Sequence, residues 1–128
     1  MSQSQLERFK AGGLLQGEER LRELVDHLRG VFLETDEGGN LSFLNRAGLG
    51  STGYSIEDLR HGLNAFNVIA PENLERVPED MQRLMNGERL GLTEYTVVRR
   101  DGTRYPTGIR ASPVIRHGKP VSVRGLAM

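Results

Sequence analysis

V-F-L-E-T-D-E-G-G-N-L-S-F-L-N, residues 31–45, reads as two short strands around a turn. Val31, Phe32 and Leu33 bring β-branched and aromatic bulk, and Leu41–Leu44 carries apolar residues on both faces. Asp36-Glu37-Gly38-Gly39-Asn40 lies between them and offers positive-φ positions and side-chain-to-backbone bonds. A lone hairpin is marginal in water, so the rest of the chain must add strands and a cover.

The 128 residues make one domain, large enough to bury roughly two-thirds of its unfolded surface. Apolar residues are 37%, with no Trp, four Phe and three Tyr, so Leu, Val, Ile and Met must build the core. Cys is absent, which excludes disulfides, thiolate nucleophiles, Cys-ligated metals and photochemistry through a cysteinyl adduct. No apolar run approaches ~18 residues and no signal-like segment opens the chain, so we expect a cytoplasmic domain without membrane insertion. Residues 1–96 hold ten Lys/Arg against sixteen Asp/Glu, whereas residues 97–128 hold seven against one. With a net charge of zero, that basic third is expected to complement the acidic remainder or lie solvated on a sheet face. Nucleic acid is not an expected partner.

Working outward, residues 1–13 are polar, end in Gly12-Gly13 and read as a frayed leader or cloning remnant. Leu14, Leu21 and Leu28 then fall seven apart, with Leu24 and Val25 beside them, giving a helix over 14–29 stopped at Gly30. Two heptads are too few for a stable coiled coil alone, so this stripe packs on the domain's own sheet or on a second subunit. Beyond the hairpin, Arg46–Gly53 reads as a short turn of helix, and Ser55 with Asp58 as a cap. Residues 60–70 lie across the sheet. Pro71 and Pro78 each suit a first helical position, Met81, Leu84 and Met85 share a face, and Gly87 ends that helix. Leu92–Arg100 alternates, with Tyr95 and Val97 on one face; Asp101-Gly102 is a hairpin turn; Tyr105–Ile115 returns. His117-Gly118-Lys119 turns again into Val121–Met128, and Pro106 and Pro113 require edge or bulge positions. Strands at both ends with helices between predict an α+β fold: one antiparallel sheet covered on one face. Thr35 and Val123 must then share that sheet.

Four motifs in order give this chain a resemblance to the PAS sensor family over residues 24–128. They are Asp36, Gly39, Leu41, Asn45 and Ala47; Gly53, Tyr54, Ser55, Glu57, Asp58 and Leu59; Arg99, Arg100, Asp101, Gly102 and Thr103; and Pro113, Gly118 and Gly125. The resemblance implies a five-stranded antiparallel sheet in the order B-A-E-D-C, a cavity between sheet and short helices, and an N-terminal flanking helix that mediates dimers. The expected map is a leader at 1–13, a dimerisation helix at 14–29 and a PAS domain at 30–128. Because the chain stops at Met128, where relatives run on into an output helix, we expect a module cut from a longer signalling protein. A sensor histidine kinase or cyclic-dinucleotide enzyme fits that expectation, with the output domain as partner.

Asp36, Gly39, Asn45, Asp101 and Gly102 are expected to be structural turn residues, with the acids and Asn45 bonding backbone N–H groups. His27, His61 and His117 sit where neither a phosphoacceptor nor an axial haem ligand is expected, and the absence of Cys and Trp disfavours flavin. Candidates for the cavity are Phe32, Phe43, Tyr54, Phe66, Ile69, Met81, Leu84, Met85, Tyr95, Val97, Ile109, Arg110 and Val123. They either fill it as core or surround a small apolar or amphipathic metabolite. Arg110 could meet a ligand carboxylate, face solvent or pair with Glu94. No nucleophile–base pair, metal set or phosphate loop can be assembled, so no enzyme is expected; the glycines of 48–53 lack a P-loop's Gly-Lys-Ser/Thr end. Two readings follow: a sensory relay coupled to flanking helices in a homodimer, and a ligand-free structural dimerisation domain.

Overall fold

A computed structural model of the chain describes residue 20 and residues 23–127. Strands β1 (Val31–Asp36) and β2 (Leu41–Leu44) form the hairpin. The helices α1 (Arg46–Thr52), α2 (Ile56–Arg60), α3 (Ala65–Val68) and α4 (Arg76–Met85) follow, with a 3₁₀ turn at Pro71–Asn73. Strands β3 (Leu90–Val98), β4 (Arg104–Arg116) and β5 (Lys119–Ala127) complete one antiparallel sheet in the order β2-β1-β5-β4-β3. Thr35 lies opposite Val123, so both ends of the chain pair side by side in that sheet.

Local chemistry explains most of these elements. Asp36 Oδ1 accepts from the N–H groups of Gly38 and Asn40, both at 2.9 Å, and Gly39 takes the positive φ of 85° that closes the first turn. Ser55 and Asp58 form a reciprocal capping box on α2. In the last hairpin His117 and Gly118 have φ of 53° and 75°, both positive as a two-residue type I′ turn requires. Arg116 therefore pairs with Lys119, and β5 begins two residues before the sequence predicts. Strand β3 also starts early, at Leu90, through an irregularity between Leu90 and Thr93. Pro78 is the third residue of α4 rather than the first, still within the turn whose N–H groups need no intrahelical partner. Pro106 pairs only with β3 and Pro113 only with β5, so each lies where β4 has one neighbour.

The helices lie on one face, and α4 supplies the principal cover. Val77 packs with Ile69 and Tyr95; Leu84 packs with Leu90 and Val123; Met81 joins the two groups. The basic third is partly neutralised in the fold. Arg124 reaches Glu34 at 3.1 Å, Arg104 reaches Glu72 at 2.7 Å, and Arg99 stacks on Tyr105 at 4.3 Å.

Candidate functional site

Between α4 and the concave sheet face lies a cavity of about 130 Å³. Strand alternation decides its walls. Val31, Leu33 and Thr35 of β1 point in, as do Thr107, Ile109 and Ala111 of β4, while Val123, Gly125 and Ala127 line it from β5. From β2, Leu41 and Leu44 both face inward although three residues apart. A register shift between Glu34 and Thr35 sets them opposite Thr35 and Leu33. Helix α4 closes the space with Val77, Asp80, Met81 and Leu84.

Asp80 is the one ionisable acid among the described residues of this wall, which also holds the hydroxyl-bearing Thr35, Thr52, Thr93, Tyr95, Tyr105 and Thr107. It occupies the i+3 position of the stripe Val77-Met81-Leu84, where the helical period turns it toward the sheet. Its Oδ2 accepts a hydrogen bond from the Tyr95 hydroxyl. Burial first, and then this bond, hold the Tyr95 phenol well above its ordinary range, so the hydroxyl stays a donor. Arg76, one turn earlier, lies over the Tyr95 ring at 4.8 Å and bonds the Glu94 carbonyl.

A second junction sits at the start of the sheet. Asn45 is fully buried, at 0% exposure. Its Oδ1 accepts from Phe32 N at 3.0 Å and Gly48 N at 3.1 Å, which caps α1. Its Nδ2 donates to Val25 O at 2.7 Å and Gly30 O at 3.0 Å, while Arg46 N donates to Asp26 Oδ1 at 2.9 Å. Residues 23–26 are helical, so this junction ties the end of the N-terminal helix to β1 and α1.

A concave antiparallel sheet in this strand order, with a cavity under short helices, is the architecture the motifs foretell. The family profile described as the PAS fold matches residues 19–126. The chain belongs to the PAS family. The PAS domain of an HTR-like protein from Haloarcula marismortui is similar to it at TM-score 0.77 and 16% identity, covering 94% of this chain and 98% of that one. A domain of a sensory box sensor histidine kinase/response regulator from Geobacter sulfurreducens gives 0.71 and 22%, covering 89% and 95%. A domain described as part of a light and redox sensing histidine kinase from Haloarcula marismortui gives 0.64 and 29%, covering 85% and 96%. No curated protein matches the sequence. The chain is thus a PAS sensory domain similar to those of histidine kinases, a fold that is typically non-catalytic. Among the described residues no helix is long and apolar enough to cross a membrane.

Of the residues expected at the PAS cavity, Ile69, Met81, Leu84, Tyr95, Val97, Ile109 and Val123 line it. Phe32, Phe43 and Arg110 do not. With Val31, Leu33, Ile109 and Ala111 facing in, the two-residue period turns Phe32 and Arg110 outward, where they share a groove with Leu126. Phe43 meets Phe32 edge-on at 5.9 Å on that outer face. Phe66 and Met85 border a shallow groove with Pro78 and Gln82 instead, and Tyr54 lies outside the cavity wall beyond Gly53. Among the described residues Arg110 pairs with no acid, Glu94 included. Asp36, Gly39, Asp101 and Gly102 sit in their turns. Asp101 Oδ1 accepts from Thr103 N at 2.9 Å and Gly102 has φ 88°. Leu14 and Leu21 lie outside the described residues; Leu24 (67%) and Leu28 (45%) are exposed, and Val25 is buried. The sequence reading missed Asp80, although an acid inside an apolar i, i+3, i+4, i+7 stripe was its visible signal.

Proposed function

We propose that this chain senses a small molecule in the α4–sheet cavity and relays its presence to the N-terminal helix of a homodimer. In this reading 14–29 is the dimerisation helix, 30–128 the non-enzymatic sensor, and an output domain of a parent signalling protein the recipient. One observation carries it. On β1, Val31 and Leu33 line the cavity while the intervening Phe32 gives its N–H to Asn45, which holds Val25 and Gly30. A ligand that displaces the strand by a fraction of an ångström thus acts on both sides of one backbone. A differential affinity giving ~1–3 kcal/mol of coupling is enough for regulation. The exposed Leu24 and Leu28 beside the buried Val25 supply the apolar surface for a second helix.

The cavity also limits the occupant. At about 130 Å³ it is well under the ~300–1,000 Å³ of pockets that enclose drug-sized ligands, so neither haem nor flavin is the expected guest. The test is amide hydrogen exchange of the 128-residue chain with and without toluene, beside sedimentation equilibrium. The reading expects two subunits and altered exchange at residues 25–32 on binding. Bound toluene with unchanged exchange there refutes the relay.

A further inference from the structure

With no Cys in the chain, all of its sulfur is methionine, at positions 1, 81, 85 and 128. The two among the described residues, Met81 and Met85, lie about one turn apart on α4 and are both half-buried. They differ in what they touch. Met85 packs on the group of Leu84, Leu90 and Val123 alone and does not line the cavity. Met81 packs on that group and on the one of Ile69, Val77 and Tyr95, and it lines the cavity as well. Both also border the open groove with Phe66, Pro78 and Gln82. One thioether side chain therefore joins the two halves of the core and is reached from solvent. We propose that Met81 is an oxidation site through which a hydroperoxide loosens α4 from the sheet.

A sulfur lone pair attacks one peroxide oxygen, and the S–O bond forms as the O–O bond breaks. The proton of the transferred oxygen passes through solvent to the departing hydroxide, which leaves as water. Sulfur is oxidised by two electrons to the sulfoxide while the peroxide is reduced, and a flexible apolar side chain becomes a polar one. Met85 can turn its sulfoxide into the groove and give up contact with one group of core residues. For Met81 the new oxygen either lies without a partner against the core or carries the side chain out of both groups at once. That loss falls on the joint between α4 and the strands it covers. A dithiol reductant reverses it: the dithiol becomes a disulfide and the oxygen leaves as water. The device needs no occupant in the cavity and stands whether or not a ligand binds there.

Hydrogen peroxide on the folded 128-residue chain, read by peptide mass mapping beside N-acetylmethionine amide, tests access. Met81 and Met85 should oxidise more slowly than the free amide, at a rate unchanged by urea below the unfolding transition. A Met81 rate that climbs with urea in step with global unfolding shows the thioether to be sealed and overturns the proposal. Met85→Leu and Met81→Leu, swaps of similar volume, separate the two sulfurs. Oxidised Met85→Leu should unfold about 1 M lower in urea than its reduced form, the scale of one unpaired buried polar group divided by a usual denaturant slope. Its α4 amides, residues 76–85, should exchange faster, and a methionine sulfoxide reductase with dithiothreitol should restore both. Oxidised Met81→Leu, which retains Met1, Met85 and Met128, should match its reduced form. Equal midpoints for oxidised and reduced Met85→Leu, or an equal drop in Met81→Leu, overturns the assignment.

Discussion

Replacing Asn45 with Ala isolates the tie between the N-terminal helix and the sheet. The amide makes four hydrogen bonds, two as acceptor and two as donor, from a position with 0% exposure. Loss of the cap on α1 costs about 1 kcal/mol by itself. Phe32 N–H and the buried contact to Val25 O then lose their side-chain partner, at ~1–3 kcal/mol each when water cannot replace it. The sum is about 3–7 kcal/mol, a large share of the ~5–15 kcal/mol that holds a domain together. Asn45→Ser separates the components, because Ser caps a helix as well as Asn but is too short to reach residues 25 and 30. Urea unfolding followed by circular dichroism measures both. Asn45→Ser should recover about 1 kcal/mol of the Ala deficit and leave the remainder. A deficit near 1 kcal/mol in Asn45→Ala, or full recovery in Asn45→Ser, would show that only the cap matters and that the tie contributes nothing.

Acid sensitivity should trace to two turn carboxylates, Asp36 and Asp101, and one helix-capping carboxylate, Asp58. Asp36 is held below its ordinary range chiefly by the Asn40 side chain, Asp58 by the Ser55 N–H, and Asp101 by Thr103. A lowered folded value contributes stability above the unfolded value near pH ~3.9 that is lost as pH falls through the folded values. Urea midpoints should therefore be flat from about pH 7 to 5 and drop below about 4, and an Asp36→Asn, Asp58→Asn, Asp101→Asn variant should show a shallower drop. Gly48→Ala should destabilise by about 1–2 kcal/mol. The new Cβ would lie 2.4 Å from Leu44 Cδ1 and 2.9 Å from Val31 Cγ1, an overpacking cost that exceeds the ~1 kcal/mol helix-propensity gain. Leu24→Glu with Leu28→Glu should leave the thermal midpoint of the domain within a few degrees yet shift sedimentation toward the single-subunit mass. An unchanged dimer would remove this helix from the interface.

Reading the strands from sequence succeeded where turn chemistry is local. Asp36 with Gly39 and Asp101 with Gly102 fix their hairpins through bonds no more than four residues long, so they were legible without a fold. His117-Gly118 announced its turn as well, but whether β5 begins at Lys119 or Val121 depended on both residues adopting positive φ. Side-chain direction was less visible. Aromatic bulk at Phe32 and Phe43 suggested interior positions, yet Val31, Leu33, Leu41 and Leu44 hold the inner face and leave the aromatics outside. A one-residue change of register exchanges the faces of a strand, and the two halves of the sheet are about ninety residues apart in sequence.

The chain by itself determined that two strand groups must share one antiparallel sheet under a helical cover, because turn residues and hydrophobic periods act over a few bonds. Tertiary structure alone decided which side of that sheet each residue faces and which distant groups meet. Asp80 becomes an acceptor in an apolar wall only when α4 lies on β3, and Asn45 becomes a tie only when residues 25–30 reach it. Those encounters are set by long-range pairing and packing, which no short stretch of sequence contains.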